Sequence, residues 1–215
     1  MSRMESVATQ QEQLVETMRE RVNRDTLTVL TAITDTTERQ ARTKAVQSAI
    51  ARIGMSAEPN NTGALVKEVS EGRQGLLWCA YFLMHCWKKA GVTLPTDLYD
   101  TLHTKPFRQA LEAFRQSGLV ELKRPDYSPQ PGDIAVFAPS DLDDPTPLAG
   151  HVSMVLYPYE DRRGQRDGIY LLEPNVRGTD ARLGIPSDRT GIETRAVSER
   201  ELQLRRLYAF AIPRL

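Results

Sequence analysis

Residues 74–90 read QGLLWCAYFLMHCWKKA, an apolar run entered through Gly75 and followed by Gly91. Lysines in a last turn and a glycine just after it are how helices end, so the run is predicted as a buried helix that starts at Cys79. A helix N-terminus presents unpaired backbone N–H groups and the positive end of the peptide dipoles. Both favour a thiolate, and the same N–H groups can hold the oxyanion formed when that thiolate attacks an amide. Cys79 is therefore a candidate nucleophile. Its residue type fits a small buried hydrophobe equally well, and its partners have to decide between the two.

Upstream of this run, 4–22 carries Met4, Val7, Leu14, Val15, Met18 and Val22 near helical spacing, which predicts one long amphipathic helix with a thin apolar stripe. Such a stripe suits packing against its own domain or against another chain. The threonine-rich 25–38 reads as a second helix or an extended linker. Ala45, Val46, Ala49, Ile50 and Ile53 then recur at helical spacing up to Gly54, EPNNTG at 58–63 is a turn, and Ala64 to Val69 is a short helix. Gly72 and Gly75 mark a loop that delivers the chain to Cys79.

Downstream, Pro95–Tyr99 is loop-like and Phe107–Ser117 reads as a helix. After Pro131 the runs DIAVFA, HVSMVLY, IYLLE, ETRAV and LYAFAI are short, β-prone and separated by Gly, Pro and Asp clusters. Helices followed by strands predict an α+β domain, with the helical half packed on one face of an antiparallel sheet. The domain is expected over 44–215, and 1–43 is expected as a helical extension for docking or delivery.

The chain has 215 residues, 40% hydrophobic and 26% charged, enough for one substantial core. Lys+Arg and Asp+Glu are both 28, a balance that argues against nucleic acid or an anionic membrane surface as partner. No run approaches the ~20 apolar residues that span a bilayer, and 1–13 lacks the apolar core of a secretory signal. Synthesis in the cytoplasm is the expectation. Cys79 and Cys86 would lie ~10 Å apart along one helix, too far for a disulfide. Without CxxC or HxxxH spacing neither a metal site nor a cofactor is expected.

Three histidines compete as the base for Cys79. His85 follows on the same helix and points elsewhere, and His103 sits in a loop beside Lys105 and Pro106. His151 opens a strand after Gly150, where an imidazole is held firmly with its edge open to a cleft. A histidine capping a sheet edge is the plain alternative. Glu173 and Asn175 in IYLLEPN are two apart on a strand, so they are expected to share a face, and either is a candidate to bind the far nitrogen of His151. Glu173 before Pro174 equally suits the end of a strand at a turn.

Several of these motifs occur together in order: Ile53-Gly54, Glu58-Pro59-Asn60, Gly63, Trp78-Cys79-Ala80-Tyr81-Phe82, Lys89-Ala90-Gly91, Pro131-Gly132-Asp133, Gly150-His151-Val152 and Glu173-Pro174-Asn175. Over roughly 44–215 the chain resembles the CHAP family, the cysteine, histidine-dependent amidohydrolases/peptidases of the NlpC-like, papain-related clan. The resemblance implies a papain-like fold and hydrolysis of an amide in bacterial peptidoglycan, by an N-acetylmuramoyl-L-alanine amidase or a stem or bridge endopeptidase. It places the nucleophile on Cys79, the base on His151 and the third member on Glu173 or Asn175. Gln74 is a candidate second oxyanion donor, and Trp78 and Tyr81 are candidates to line the substrate groove. Pro131-Gly132-Asp133 is expected to be structural. Leu77, where relatives often carry a small residue or proline, and a long Ser140–Ala149 loop depart from the pattern.

Two other readings stand beside this one. The first is a papain-like toxin or effector acting on a protein amide. The second is a structural or docking protein of a phage tail or secretion apparatus, with the N-terminal helix as its docking piece. On any of these readings a protein partner, chaperone or immunity protein is a candidate to bind through 1–43 or the catalytic cleft. A wall hydrolase without a signal would reach the periplasm or wall by phage- or secretion-mediated delivery.

Overall fold

The computed structural model describes residues 3–93, 98, 101, 104–145, 150–160, 163, 166–177, 183 and 185–214. Most of the loop expected at Pro95–Tyr99, His103 and the end of the Ser140–Ala149 loop lie outside the described residues. The described elements are helices α1 (Arg3–Leu30), α2 (Thr36–Ile50), α3 (Ala64–Val69), α4 (Cys79–Lys89), α5 (Phe107–Gln116) and α6 (Glu199–Leu204), with strands β1 (Val120–Lys123), β2 (Ile134–Phe137), β3 (His151–Glu160), β4 (Arg166–Arg177), β5 (Thr190–Ser198) and β6 (Leu207–Pro213). The strands form one antiparallel sheet in the order β1-β6-β2-β3-β4-β5. The fold is α+β.

Strand alternation divides the core. Met154, Leu156, Leu172 and Ile192 point to the face covered by α2 and α4, where they pack with Val46, Ile50, Phe82, Leu83 and Cys86. Their neighbours Val155, Leu171 and Val197 point to the other face, with Ala135, Phe137 and Phe210, beneath Leu202 of α6. Phe107 of α5 closes the end of the first layer against Val136 and Ala211.

The long first helix continues through the threonine-rich segment as far as Leu30. Threonine is a poor helix former, but Thr26 and Thr28 donate their hydroxyls to the carbonyls of Val22 and Arg24, which leaves neither side chain unsatisfied. The C-terminal half of α1 packs on its own domain, with Val22, Thr26 and Leu30 buried and Arg19 donating to the Ile53 carbonyl. Helix α2 is capped by Asp35, which accepts from the Glu38 N–H, and it runs unbroken across the 43/44 position. Ala41 and Arg42 are buried as well as Ala45 and Val46. Gly54, at φ +83°, turns the chain after α2 onto β5, where its N–H donates to the Ile192 carbonyl.

Pro131-Gly132-Asp133 joins the helical layer to the sheet. Asp133 is fully buried, accepts from Arg42 Nη1 at 2.8 Å and from the Gln130 N–H at 2.8 Å, and its carbonyl takes the Val155 N–H. Burial pushes the Asp133 carboxyl up, against the pull of Arg42. Burial also opposes the Arg42 charge, but Asp133 and Glu38 outweigh it and hold the guanidinium above its ordinary value. Trp87 Nε1 donates to the Gly132 carbonyl at 3.1 Å, so the turn, α2 and α4 are tied at one point. These contacts agree with the structural role expected of the motif.

Candidate active site

Cys79 is the first residue of α4, and Trp78 before it is the N-cap residue. Its placement depends on the turn at 58–63. Trp78 Nε1 donates to Thr190 Oγ1 at 3.2 Å, and that hydroxyl donates to Asn61 Oδ1 at 2.8 Å. The Gly75 N–H donates to the Asn61 carbonyl, and the Gly63 N–H to Gln74 Oε1 at 3.1 Å. The Glu-Pro-Asn turn, the loop before the nucleophile and the start of β5 therefore form one hydrogen-bonded unit. Trp78 and Tyr81, expected at the groove, are fully buried instead. Trp78 packs edge-on to Phe82 and spends its one donor on Thr190, so neither ring borders open solvent. Gln74, the candidate oxyanion donor, uses its carbonyl oxygen on Gly63.

The Cys79 side chain is buried and lies beside the backbone N–H groups of Val152, Ala80 and Cys79 itself. Burial pushes the thiol up, and the three N–H groups pull it down by less. Cys86, two turns on, is packed in the core and pushed up to about 12 by the same desolvation.

His151 begins β3, next to Val152. Gly150 before it has φ +93°, and a Cβ there would stand 2.5 Å from the Phe137 carbonyl oxygen, so only glycine admits this entry into the strand. The imidazole stacks on Phe137 with centroids 6.4 Å apart, and its Nε2 lies 3.8 Å from Glu173 Oε1. Burial pushes His151 down to about 4; Glu173 works against this, while Arg205 and Arg195 reinforce it.

Glu173 is 3% exposed and is the centre of the charged group on this side of the sheet. Its carboxylate accepts from Arg205 Nη2 and from Ser153 Oγ at 3.3 Å, and Arg195 Nε forms an ion pair with it at 3.0 Å. Arg205 also lies over the Phe137 ring, 4.4 Å from its centroid. Asn175 has φ +61° and sits where the β4–β5 register shifts between Pro174 and Val176. The period of two that would align it with Glu173 is broken there. Its Oδ1 is buried without a hydrogen-bond partner, and so is His151 Nε2.

Cys79 and His151 therefore meet the same strand end from two sides. Val152 turns its side chain and its N–H toward α4 and the thiol, while His151, one residue earlier, shares the side of Phe137, Ser153 and Glu173. Both residues line one cavity between α4, α5 and the sheet. The sequence did not mark out Arg195 and Arg205 as neighbours of the histidine. Arg195 in ETRAV is a polar position of an alternating strand, the only signal it carries.

Comparison of the chain with family models, with curated proteins and with solved structures gives no match. Among the described residues no group of histidine, cysteine and carboxylate side chains is arranged to hold a metal ion, and no helix is long and apolar enough to cross a membrane.

Proposed function

We propose that this protein is a cysteine-dependent amide hydrolase of papain-like architecture that cleaves bacterial peptidoglycan. The observation that carries the reading is the Cys79 thiol at the start of α4, beside three backbone N–H groups and on the wall of a cavity that His151 also lines. Backbone N–H groups so placed stabilise a thiolate before attack and an oxyanion after it.

The resting arrangement is a neutral thiol and a neutral imidazole, each held on its own side of β3. For proton transfer the His151 ring has to leave Phe137 and come round the start of the strand to the thiol, a change of backbone at Gly150-His151 as well as of the side chain, because rotation about χ1 alone leaves Cβ on its own face. His151 then takes the Cys79 proton, Cys79 attacks the carbonyl, and the imidazolium returns the proton to the leaving amine. Water activated by neutral His151 releases the acyl group. Glu173 is the acidic partner of the imidazole, with Asn175 at the bulge as the alternative third member. Delivery by a phage or a secretion system brings such an enzyme to the wall.

Incubation of the purified protein with intact peptidoglycan, and identification of the released fragments by mass spectrometry, tests the reading. Wild type releases a defined set of fragments, and Cys79→Ala and His151→Ala release none. Identical products from all three and from buffer, on walls of several types, would sink it in favour of a structural role.

A further inference from the structure

The cavity beside Cys79 has a volume of about 120 Å³ and is walled by Leu83, Met84, Phe107, Ala110, Phe114 and Ala211 among others. Among the described residues no charged side chain lines it, and Trp87, on the same wall, has its N–H turned away to the Gly132 carbonyl. Beyond Cys79 and His151 the wall presents hydrocarbon. Apolar cavities of about 150 Å³ stay dry and admit small hydrocarbons such as benzene. Here the nucleophile itself is part of the wall, so whatever fills the space is adjacent to the bond that Cys79 attacks.

A cysteine hydrolase keeps the acyl half of its substrate as a thioester and releases the amine. Both halves of the amide flank the attacked carbon, but only the acyl chain stays beside the sulfur once the amine has left. We propose that this cavity receives a short aliphatic chain carried by the acyl group, so that the preferred substrate is an amide whose acyl side bears an uncharged alkyl chain. The inference rests on Cys79 as nucleophile and is independent of which amine leaves. In the step itself the thiol proton passes by way of His151 to the amine, the C–N bond breaks as the C–S bond forms, and one water then yields the carboxylic acid and restores the thiol. No other reactant is needed.

N-alkyl iodoacetamides carrying methyl, butyl, hexyl and octyl chains test the cavity without requiring turnover. Modification of the full chain is followed at mildly alkaline pH by intact mass and assigned to Cys79 or Cys86 by peptide mapping. The Cys79 rate is expected to rise about threefold to fourfold per added methylene until the cavity is full, from the transfer of each methylene out of water. Ala110→Leu, which fills the space, is expected to abolish the chain-length dependence, so that the butyl, hexyl and octyl reagents react no faster than the methyl one. Cys86 reports on folding, because a variant that unfolds exposes it and labels at both thiols; Phe114→Trp then serves as the second filled variant. Labelling of Cys79 at one rate for all chains overturns the cavity proposal and leaves the nucleophile standing. Failure of every reagent to label Cys79 overturns both.

Discussion

Glu173 lies 3.8 Å from His151, but its closer contacts are with Arg195 and Arg205. The carboxylate is thus shared between an imidazole it favours in the charged form and two guanidinium groups that disfavour that form. Removing either side moves the histidine in opposite directions. Glu173→Gln is expected to lower the His151 pKa below its present value of about 4, since Glu173 is the one neighbour among the described residues that raises it. Arg205→Ala is expected to raise it by roughly one unit, the usual scale for a nearby charge. Titration of the imidazole by NMR reads both. Shifts of the same sign in the two variants would mean that the ring does not sit between these groups.

The depressed His151 value also links to stability. A histidine held neutral in the folded state and titrating near its ordinary 6.5 when unfolded contributes stability that is fully present above that value and lost as pH falls toward about 4. The side chain is 23% exposed, so the whole effect is of order 2 to 3 kcal/mol. His151→Gln is expected to flatten this part of the acid limb relative to wild type. Urea unfolding at intervals between neutral pH and pH 4 measures the difference, and parallel curves for the two proteins would contradict the buried neutral imidazole.

Asp133 and Arg42 are 0% and 3% exposed; removing Arg42 strands the buried Asp133 carboxylate, whereas removing Asp133 leaves Arg42 still paired with Glu38 at 2.8 Å. Arg42→Ala is expected to cost about 3 to 5 kcal/mol, and Asp133→Ala less, because Glu38 still pairs with Arg42. Replacing both, as Arg42→Met with Asp133→Leu, is expected to cost much less than the sum, because no stranded charge remains. A double-mutant cycle in denaturant gives the coupling. Additive losses would show that the two residues act separately and that the turn is held by its backbone bonds alone.

The same residues explain what could be read from the chain beforehand. The short helix Ala64–Val69, the start of α4 at Cys79 and five of the strands follow from apolar spacing and breakers. Strand β1, Val120–Lys123, does not, because it is a four-residue edge strand with charges at alternate positions, paired among the described residues with β6 alone. Helix α6 has a signal in the sequence, the capping box of Ser198 and Glu201, but it is too short for an apolar period to mark it. The end of β3 bearing His151 was legible, but the direction of its ring was not. That direction depends on stacking with Phe137 and on charges from β5 and α6, contacts of long sequence separation. An aromatic residue beside a nucleophile suggests a groove, but Trp78 is buried, with its N–H on Thr190, 112 positions away.

The opposed positions of Cys79 and His151 predict the pH profile of thiol reactivity. A thiol paired with an imidazolium gives a plateau of thiolate from mildly acidic pH upward. Here burial pushes Cys79 above the ordinary thiol range, and the groups acting on the thiol are backbone N–H groups, with no imidazolium among them. Alkylation of Cys79 by iodoacetamide is therefore expected to be slow at pH 7 and to climb steadily into the alkaline range, with no acidic shoulder. Cys86, pushed up to about 12, is expected to stay unlabelled while the protein is folded. His151→Ala is expected to change the free enzyme's profile little, whereas a substrate analogue that draws the ring toward the sulfur is expected to add the missing acid plateau. Peptide mapping after timed alkylation from pH 5 to 10 measures all three. An acid plateau in the free protein, lost in His151→Ala, would mean that the ring already faces Cys79 before substrate arrives.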